Sequence, residues 1–150
     1  MESSFSMTPD TPFDRKNAEK EPSRVACAIV FNERQEILLV RPKEGEKWIL
    51  PGGKIEEGEA PLDCLLREFE EEVPGLEEEV RNLCLFDSFE ATTPNTRRLF
   101  KSETFIATIQ EQERESLESS AEIAELTWTA DPFEFDLSGG TRKMIEAVLL

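Results

Sequence analysis

Residues 52–76 constrain the fold of this 150-residue chain more than any other stretch. Their second half predicts a helix that begins at Pro61, because the N–H that proline lacks would be unbonded at a first helical position. Pro74 and Gly75 predict where that helix ends. Between these limits, large apolar side chains recur at helical spacing, which predicts one apolar stripe. The stripe consists of Leu62, Leu65, Leu66, Phe69 and Val73.

A second face of the predicted helix carries three carboxylates. Glu68, Glu71 and Glu72 stand at positions i, i+3 and i+4 and therefore share one face. Their mutual repulsion costs roughly a few tenths of a kcal/mol per pair in water, and more where the face is partly buried. A cation among them would relieve this cost, and Mg²⁺ prefers such oxygen ligands. The preceding glycines, residues 52–53, let the backbone approach a ligand and offer a carbonyl oxygen.

This spacing resembles the Nudix box, written G-x5-E-x7-R-E-U-x-E-E-x-G-U, in which U is a bulky aliphatic residue. The fixed positions are occupied by Gly53, Glu59, Arg67, Glu68, Glu71 and Glu72, with Phe69 at the first U. The end of the pattern differs, because Val73 and Pro74 both precede Gly75 where the family has a single residue. We expect this extra residue to alter the helix exit and to leave the metal site unchanged. An acidic, solvated helix is the alternative interpretation.

The resemblance implies a fold, an activity and a set of site residues. The fold would be α/β, a Nudix-type α/β/α sandwich with a mixed β-sheet, in one domain over residues 23–150 after a flexible leader, residues 1–22. The activity would be Mg²⁺- or Mn²⁺-dependent hydrolysis of a nucleoside diphosphate linked to another group. The metal ligands would be Gly52, Glu68, Glu71 and Glu72. Glu68 would alternatively accept the proton of the attacking water, with Arg67 and Glu59 supporting the ligands.

Composition narrows the classes of function. The net charge of −16 argues against polymeric nucleic acid and anionic membranes as partners, since both need a basic patch. The absence of His from the sequence excludes His-based zinc sites and Ser-His-Asp triads. No apolar run has membrane length and no signal peptide is recognisable, so we expect a cytoplasmic protein. Three cysteines in apolar contexts predict buried free thiols: Cys27, Cys64 and Cys84.

The rest of the chain reads as a mixed α/β domain. Apolar, β-branched runs predict strands over residues 24–32, 36–41, 80–90, 99–109 and 122–129. Residues 32–35 predict a hairpin turn between the first two strands. Residues 141–150 predict an amphipathic helix, residues 110–120 a polar connector and residues 131–137 irregular backbone.

Several basic residues are candidates for phosphate binding. They are Arg41, Lys43, Lys47, Lys54, Arg97, Arg98 and Lys101. Arg41 and Lys54 are the stronger candidates, because they flank the glycine pair in the sequence. Trp48 and Phe89 could stack on a base, but packing in the core is the better interpretation for both.

A further carboxylate from outside the box is expected to complete the site, because one helical face cannot encircle a pyrophosphate. Nudix enzymes often place such a Glu before a late strand that ends in Trp, and residues 121–129 resemble that strand. Glu122, at the strand entrance, is the preferred candidate over Glu118 and Glu125.

The sequence leaves the substrate open. The Tyr that accompanies diadenosine-polyphosphate cleavage in this family has no counterpart, because the chain contains no Tyr. The proline that marks many ADP-ribose enzymes has only a near match, Pro94. Nucleoside triphosphates and capped RNA also stay open, the latter disfavoured by charge. A non-catalytic nucleotide sensor and an acidic, metal-binding interaction module are the alternative classes, and the partner is expected to be a small nucleotide bound by a monomer or homodimer.

Overall fold

The structure, a computed structural model, describes residues 23–92, 99–110 and 120–150. The expected leader over residues 1–22 lies outside this part of the chain, as do Pro94, Arg97, Arg98 and Glu118. The described strands are β1 Ser23–Phe31, β2 Ile37–Pro42, β3 Gly52–Lys54, β4 Arg81–Thr92, β5 Leu99–Thr108 and β6 Ile123–Thr129. The described helices are α1 Pro61–Glu72, α2 Leu76–Glu79 and α3 Gly139–Leu149, with a short 3-10 helix at Pro132–Glu134.

The strands form one mixed sheet in the order β4-β5-β1-β2-β6, with β3 paired to β1. β1 runs parallel to β5 from Ser23 to Phe31 and antiparallel to its other partners. Because β5 occupies one edge of β1 throughout, β2 and β3 share the other edge. Gly52 pairs with Cys27 there, and β2 joins at Phe31. This sharing brings the glycine pair into the middle of the sheet.

Each face of the sheet packs against one long helix. Alternate β1 residues point to opposite faces, as strand geometry requires. Ala26, Ala28 and Val30 belong to the core beneath α1, whereas Cys27 and Ile29 belong to the core beneath α3. The α1 core receives Leu65, Phe69 and Val73, and the α3 core receives Met144 and Ile145. The expected α/β/α sandwich with a mixed sheet is confirmed.

The helix exit accommodates the extra residue without disturbing the carboxylates. α1 ends at Glu72, as predicted, and the Val73 N–H donates to the Phe69 carbonyl at 2.8 Å. Gly75 adopts a left-handed φ of 98°, which glycine tolerates best. The chain then re-enters helix α2, whose first residue, Leu76, is fully buried. Pro74 therefore lies in the exit turn, beyond the three carboxylates in the sequence.

One prediction about the cysteines is wrong. Cys27 and Cys64 are buried free thiols, but Cys84 is exposed. It lies on β4, a strand at one edge of the sheet, opposite Ile106. A strand at the sheet edge and a buried strand can have equally apolar sequences. The residues around Cys84 therefore do not reveal that its side chain is exposed. Burial raises the pKa of Cys64 to about 11, so this thiol is a poor nucleophile.

The aromatic residues pack as expected. Trp48 meets Phe135 edge to face, with ring centroids 5.2 Å apart, and both side chains contact the α3 core. Phe89 lies against the same core. In the described part of the chain, no helix has the length and apolarity needed to cross a membrane.

Candidate active site

The Glu72 carboxylate is the most deeply buried acidic group of α1, with 9% of the residue exposed. Its Oε1 accepts a hydrogen bond from the Gly52 N–H at 3.1 Å. Gly52 has a φ of 150°, and a Cβ at this position would overlap the backbone of Ala26 and Cys27. Only glycine therefore allows β3 to pair with β1 and present its N–H to Glu72.

Glu68 lies against the second glycine of the pair. A Cβ at Gly53 would overlap the Glu68 carboxyl group, so that the absence of a side chain makes room for it. The Glu68 side chain is 14% exposed, whereas that of Glu71 is 47% exposed. The three carboxylates predicted to share a face thus differ in burial, with Glu71 at the surface and Glu72 deepest.

Arg67 links the segment before α1 to the helix itself through hydrogen bonds. Its guanidinium holds Glu59 through two hydrogen bonds, at 2.8 and 3.1 Å, in the bidentate geometry typical of arginine. It also contacts Glu68 at 3.1 Å and Glu71 at 3.4 Å, and donates to the Lys54 carbonyl at 3.1 Å. Arg67 and Glu71 stand four residues apart, so that this contact joins successive turns of the helix. Hydrogen bonding to Arg67 lowers the pKa of Glu59 to about 2, so Glu59 is ionised near neutral pH.

The pKa values of the buried carboxylates are shifted in the opposite direction, upward. Burial raises the pKa of Glu72 to about 8, and repulsion from Glu68, Glu122 and Glu71 adds to that rise. The Gly52 N–H opposes it. Burial also raises the pKa of Glu68, with Glu71 adding repulsion and Arg67 opposing it. Without a cation, this cluster favours a proton on Glu72 at neutral pH.

Glu122 reaches the box carboxylates from the entrance of β6. Glu122 and Glu72 line one cavity of about 460 Å³, together with Lys43 and Glu44. The Lys43 N–H donates to the Glu122 carbonyl at 3.0 Å and so fixes this entrance to the end of β2. Glu125 is engaged elsewhere, since its carboxylate binds Arg41 at 2.8 Å.

A larger cavity of about 820 Å³ lies on the α3 side of the glycine pair. Gly52 and Gly53 form part of its wall, and Phe100 and Met144 supply apolar surface. Its lining also includes Lys47, Lys143, Glu90, Ser138 and Thr141. A volume of this size is within the usual range for a small-molecule site.

The two basic residues favoured by the sequence lie apart from these cavities. Arg41 pairs with Glu125 and stacks over Trp48, with its Cζ 5.9 Å from the ring centroid. Lys54 contributes its carbonyl to Arg67, and its side chain lines neither cavity. Lys43, one of the weaker candidates in the sequence, lines the smaller cavity, and its position depends on the pairing of β2 with β6.

The donors fit a hard divalent ion. Carboxylates at Glu68, Glu71, Glu72 and Glu122 repel one another around a buried group, and a divalent cation would relieve that repulsion. Among the described residues, no three acidic or thiol side chains converge closely enough to hold an ion unaided. An ion bound there would need further oxygen ligands, such as the waters and phosphate oxygens that Mg²⁺ accepts.

A family comparison agrees with the geometry, since the NUDIX domain model matches residues 21–144. The chain belongs to the Nudix family. Nudix hydrolases generally use divalent metal ions.

Curated relatives match only in part. An 8-oxo-dGTP diphosphatase of Haemophilus influenzae is 39% identical over 59 residues, which are 37% of this chain and 43% of that protein. An m7GpppN-mRNA hydrolase of Saccharomyces cerevisiae is 42% identical over 55 residues, 36% of this chain and 6% of that protein. The chain thus spans less than half the length of these relatives.

Solved Nudix structures share the fold. The NUDIX domain of Shewanella oneidensis NrtR, complexed with ADP ribose, superposes with a TM-score of 0.71 at 21% identity, covering 95% of this chain and 97% of that one. The MutT protein of Methanosarcina mazei Go1 gives a TM-score of 0.66 at 23% identity, covering 86% and 94%. At these identities the likeness shows the fold alone.

The raised pKa of Glu72 predicts how the metal-free protein responds to pH. The stabilising contribution of protonated Glu72 is complete below its unfolded-state pKa and is lost as the pH rises through about 8. We expect Glu72→Gln to exceed the wild type in stability by much more at pH 9 than at pH 5, because the wild type loses stability over this range. Urea unfolding in EDTA at both pH values measures this difference.

Glu70→Gln is the matched control, because Glu70 lies on the exposed face of the same helix. Its difference from the wild type should not change between the two pH values. A Glu72→Gln variant less stable than the wild type at pH 9 would contradict this electrostatic account.

Proposed function

We propose that this protein is a divalent-metal-dependent pyrophosphohydrolase that cleaves a nucleoside diphosphate linked to another group. The observation that carries the proposal is the burial of Glu72 against Gly52, with three further carboxylates close enough to raise its pKa. A cluster of this kind is stable in its ionised form only with a cation present. A pyrophosphate substrate would bring the phosphate oxygens that such an open site lacks.

Four residues would hold the metal: Gly52 through its carbonyl, and Glu68, Glu71 and Glu72 through their carboxylates. The ion would supply charge neutralisation of the bridging oxygens and a lower pKa for bound water. Arg67 would keep Glu68 and Glu71 in position through its contacts at 3.1 and 3.4 Å. Glu59, held ionised by Arg67, would fix the guanidinium in turn.

The reaction would need no covalent enzyme intermediate. A water oxygen would attack one phosphorus atom, the bond from that phosphorus to the bridging oxygen would break, and the departing phosphate would keep the bonding pair. Glu68 or Glu122 would accept the proton of the water. Both carboxylates lie close enough to Glu72 to raise its pKa.

The larger cavity is suited to the nucleoside. Its volume of about 820 Å³, its apolar wall and the aromatic ring of Phe100 would accommodate a base and ribose. Relatives and structural neighbours are named for 8-oxo-dGTP and for ADP ribose, so a nucleoside triphosphate and a sugar-linked diphosphate are both candidates.

A nucleotide-binding domain without turnover is the second candidate. The likeness to a Nudix domain complexed with ADP ribose favours it, because that complex contains an intact ligand. The complete set of box glutamates favours an enzyme, since a binding domain has no need of the repulsion they create. Release of product in Mg²⁺ distinguishes the two, and Ca²⁺-dependent folding without turnover would instead indicate an acidic interaction module.

A cytoplasmic location stays a prediction, supported by the three free cysteines. A monomer or homodimer also stays a prediction. The net charge of −16 supports a small nucleotide, and not a nucleic acid polymer, as the substrate.

A substrate panel tests the activity. We expect monophosphate release from nucleoside triphosphates or sugar-linked diphosphates in Mg²⁺ or Mn²⁺ and its loss in EDTA. Glu71→Gln and Glu72→Gln should each lower turnover by roughly 100-fold or more while the proteins stay folded. Glu70→Gln, on the same helix, should keep the wild-type rate. Normal turnover in both variants would contradict a metal-binding role for the box.

The role of Glu122 has its own test. Glu122→Gln should lose most turnover at saturating Mg²⁺, because its carboxylate would act on the metal or the attacking water. Glu125→Gln is the matched control, since Glu125 lies three residues further along and pairs with Arg41. Rates of both variants between pH 6 and 9 decide the assignment. A normal rate in Glu122→Gln with a loss in Glu125→Gln would reverse it.

A further inference from the structure

We infer that the Lys43 ammonium binds the phosphate at the far end of the substrate from the nucleoside, so that the smaller cavity selects substrates ending in a free phosphate. The inference rests on the proposed function and names a substrate class for it. Three observations carry it: the adjacency of the two cavities, the engagement of most other described cations around them, and the anchoring of Lys43 to Glu122.

The walls of the two cavities touch at the Gly52–Glu72 contact. Gly52 lines the larger cavity and Glu72 lines the smaller one, and their hydrogen bond is 3.1 Å long. In the binding mode we propose, a ligand whose nucleoside fills the larger cavity would extend past these residues towards the smaller one. The group beyond the cleaved bond then enters the smaller cavity, whose volume of about 460 Å³ exceeds that of a phosphate.

Most described cations near the two cavities already have partners. Arg67 is held by Glu59 and its neighbours, and Arg41 by Glu125. Lys47 pairs with Asp136 at 3.0 Å. The Lys143 ammonium donates to the Glu90 carbonyl at 3.1 Å.

Lys43 differs from these residues. Its exposed side chain lines the smaller cavity beside Glu44, Glu72 and Glu122, and within the described residues its ammonium forms no ion pair. The backbone bond from Lys43 to Glu122, at 3.0 Å, fixes its position at the cavity wall. An anchored backbone whose ammonium has no ion-pair partner among the described residues is suited to a ligand that arrives from outside.

Charge identifies that ligand. The carboxylates of the smaller cavity would repel a terminal phosphate, which carries more negative charge than a phosphate esterified to a sugar. A lysine ammonium is a mobile point charge that can follow such a group. Lys43 should therefore matter for nucleoside triphosphates and have little effect on sugar-linked diphosphates.

The test compares kcat/KM for dGTP and for ADP-ribose in Mg²⁺. Lys43→Gln should lower the dGTP value by roughly 10- to 100-fold, mainly through KM, as expected for one lost charge-assisted hydrogen bond. The ADP-ribose value should change less than about twofold. Lys43→Arg should restore most of the dGTP value. Arg34→Gln, in the turn after β1, controls for the loss of one positive charge.

Binding measurements keep this inference separate from the proposed activity. By calorimetry in Mg²⁺, Lys43→Gln should bind inorganic pyrophosphate roughly tenfold more weakly than the wild type and bind AMP equally well. A wild type that hydrolyses nothing would contradict the proposed function, and the pyrophosphate result would still decide the role of Lys43. Unchanged pyrophosphate binding, or equal losses for dGTP and ADP-ribose, would overturn the inference.

Discussion

The hydrogen bond from the Gly52 N–H to the buried Glu72 carboxylate is the contact on which the rest of the site depends. Glu72 lies beneath the surface among three other carboxylates, and burial with repulsion raises its pKa to about 8. The Gly52 N–H can reach Glu72 only because Gly52 has no side chain that would clash with β1. The pairing of β3 with β1, the glycine pair and the register of α1 therefore serve one purpose, which is to hold an acidic group where it is unstable alone.

The parts of this arrangement that depend on local spacing could be predicted from the sequence. The boundaries of α1 followed from Pro61, Pro74 and Gly75, and the shared face of the glutamates followed from the helical period. Arg67 and Glu71 are four residues apart, so their contact across one helical turn could also be predicted from the spacing. The choice of Glu122 over Glu125 drew on the resemblance to known Nudix enzymes and stays a prediction, with Glu122 and Glu72 lining the same cavity.

The parts that depend on distant pairing could not be predicted. Strand β3 has only three residues, two of them glycine, and its sequence therefore does not predict a strand. It is a strand because it pairs with β1. The salt bridge of Arg41 with Glu125 follows from the β2–β6 register. That register joins two apolar runs far apart in the sequence, and neither run alone specifies it. The same register brings Lys43 to Glu122. Exposure of Cys84 reflects the position of β4 at the sheet edge, which no property of its own residues reveals.

The central claim is that the buried carboxylates hold a proton until a cation replaces it. Calorimetric titration of Mg²⁺ into the wild-type protein, in buffers of different ionisation enthalpy, counts the protons released on binding. With the pKa of Glu72 near 8, the account predicts release of close to one proton at pH 7 and almost none at pH 9.5. Binding of Mg²⁺ at pH 7 without proton release would contradict it.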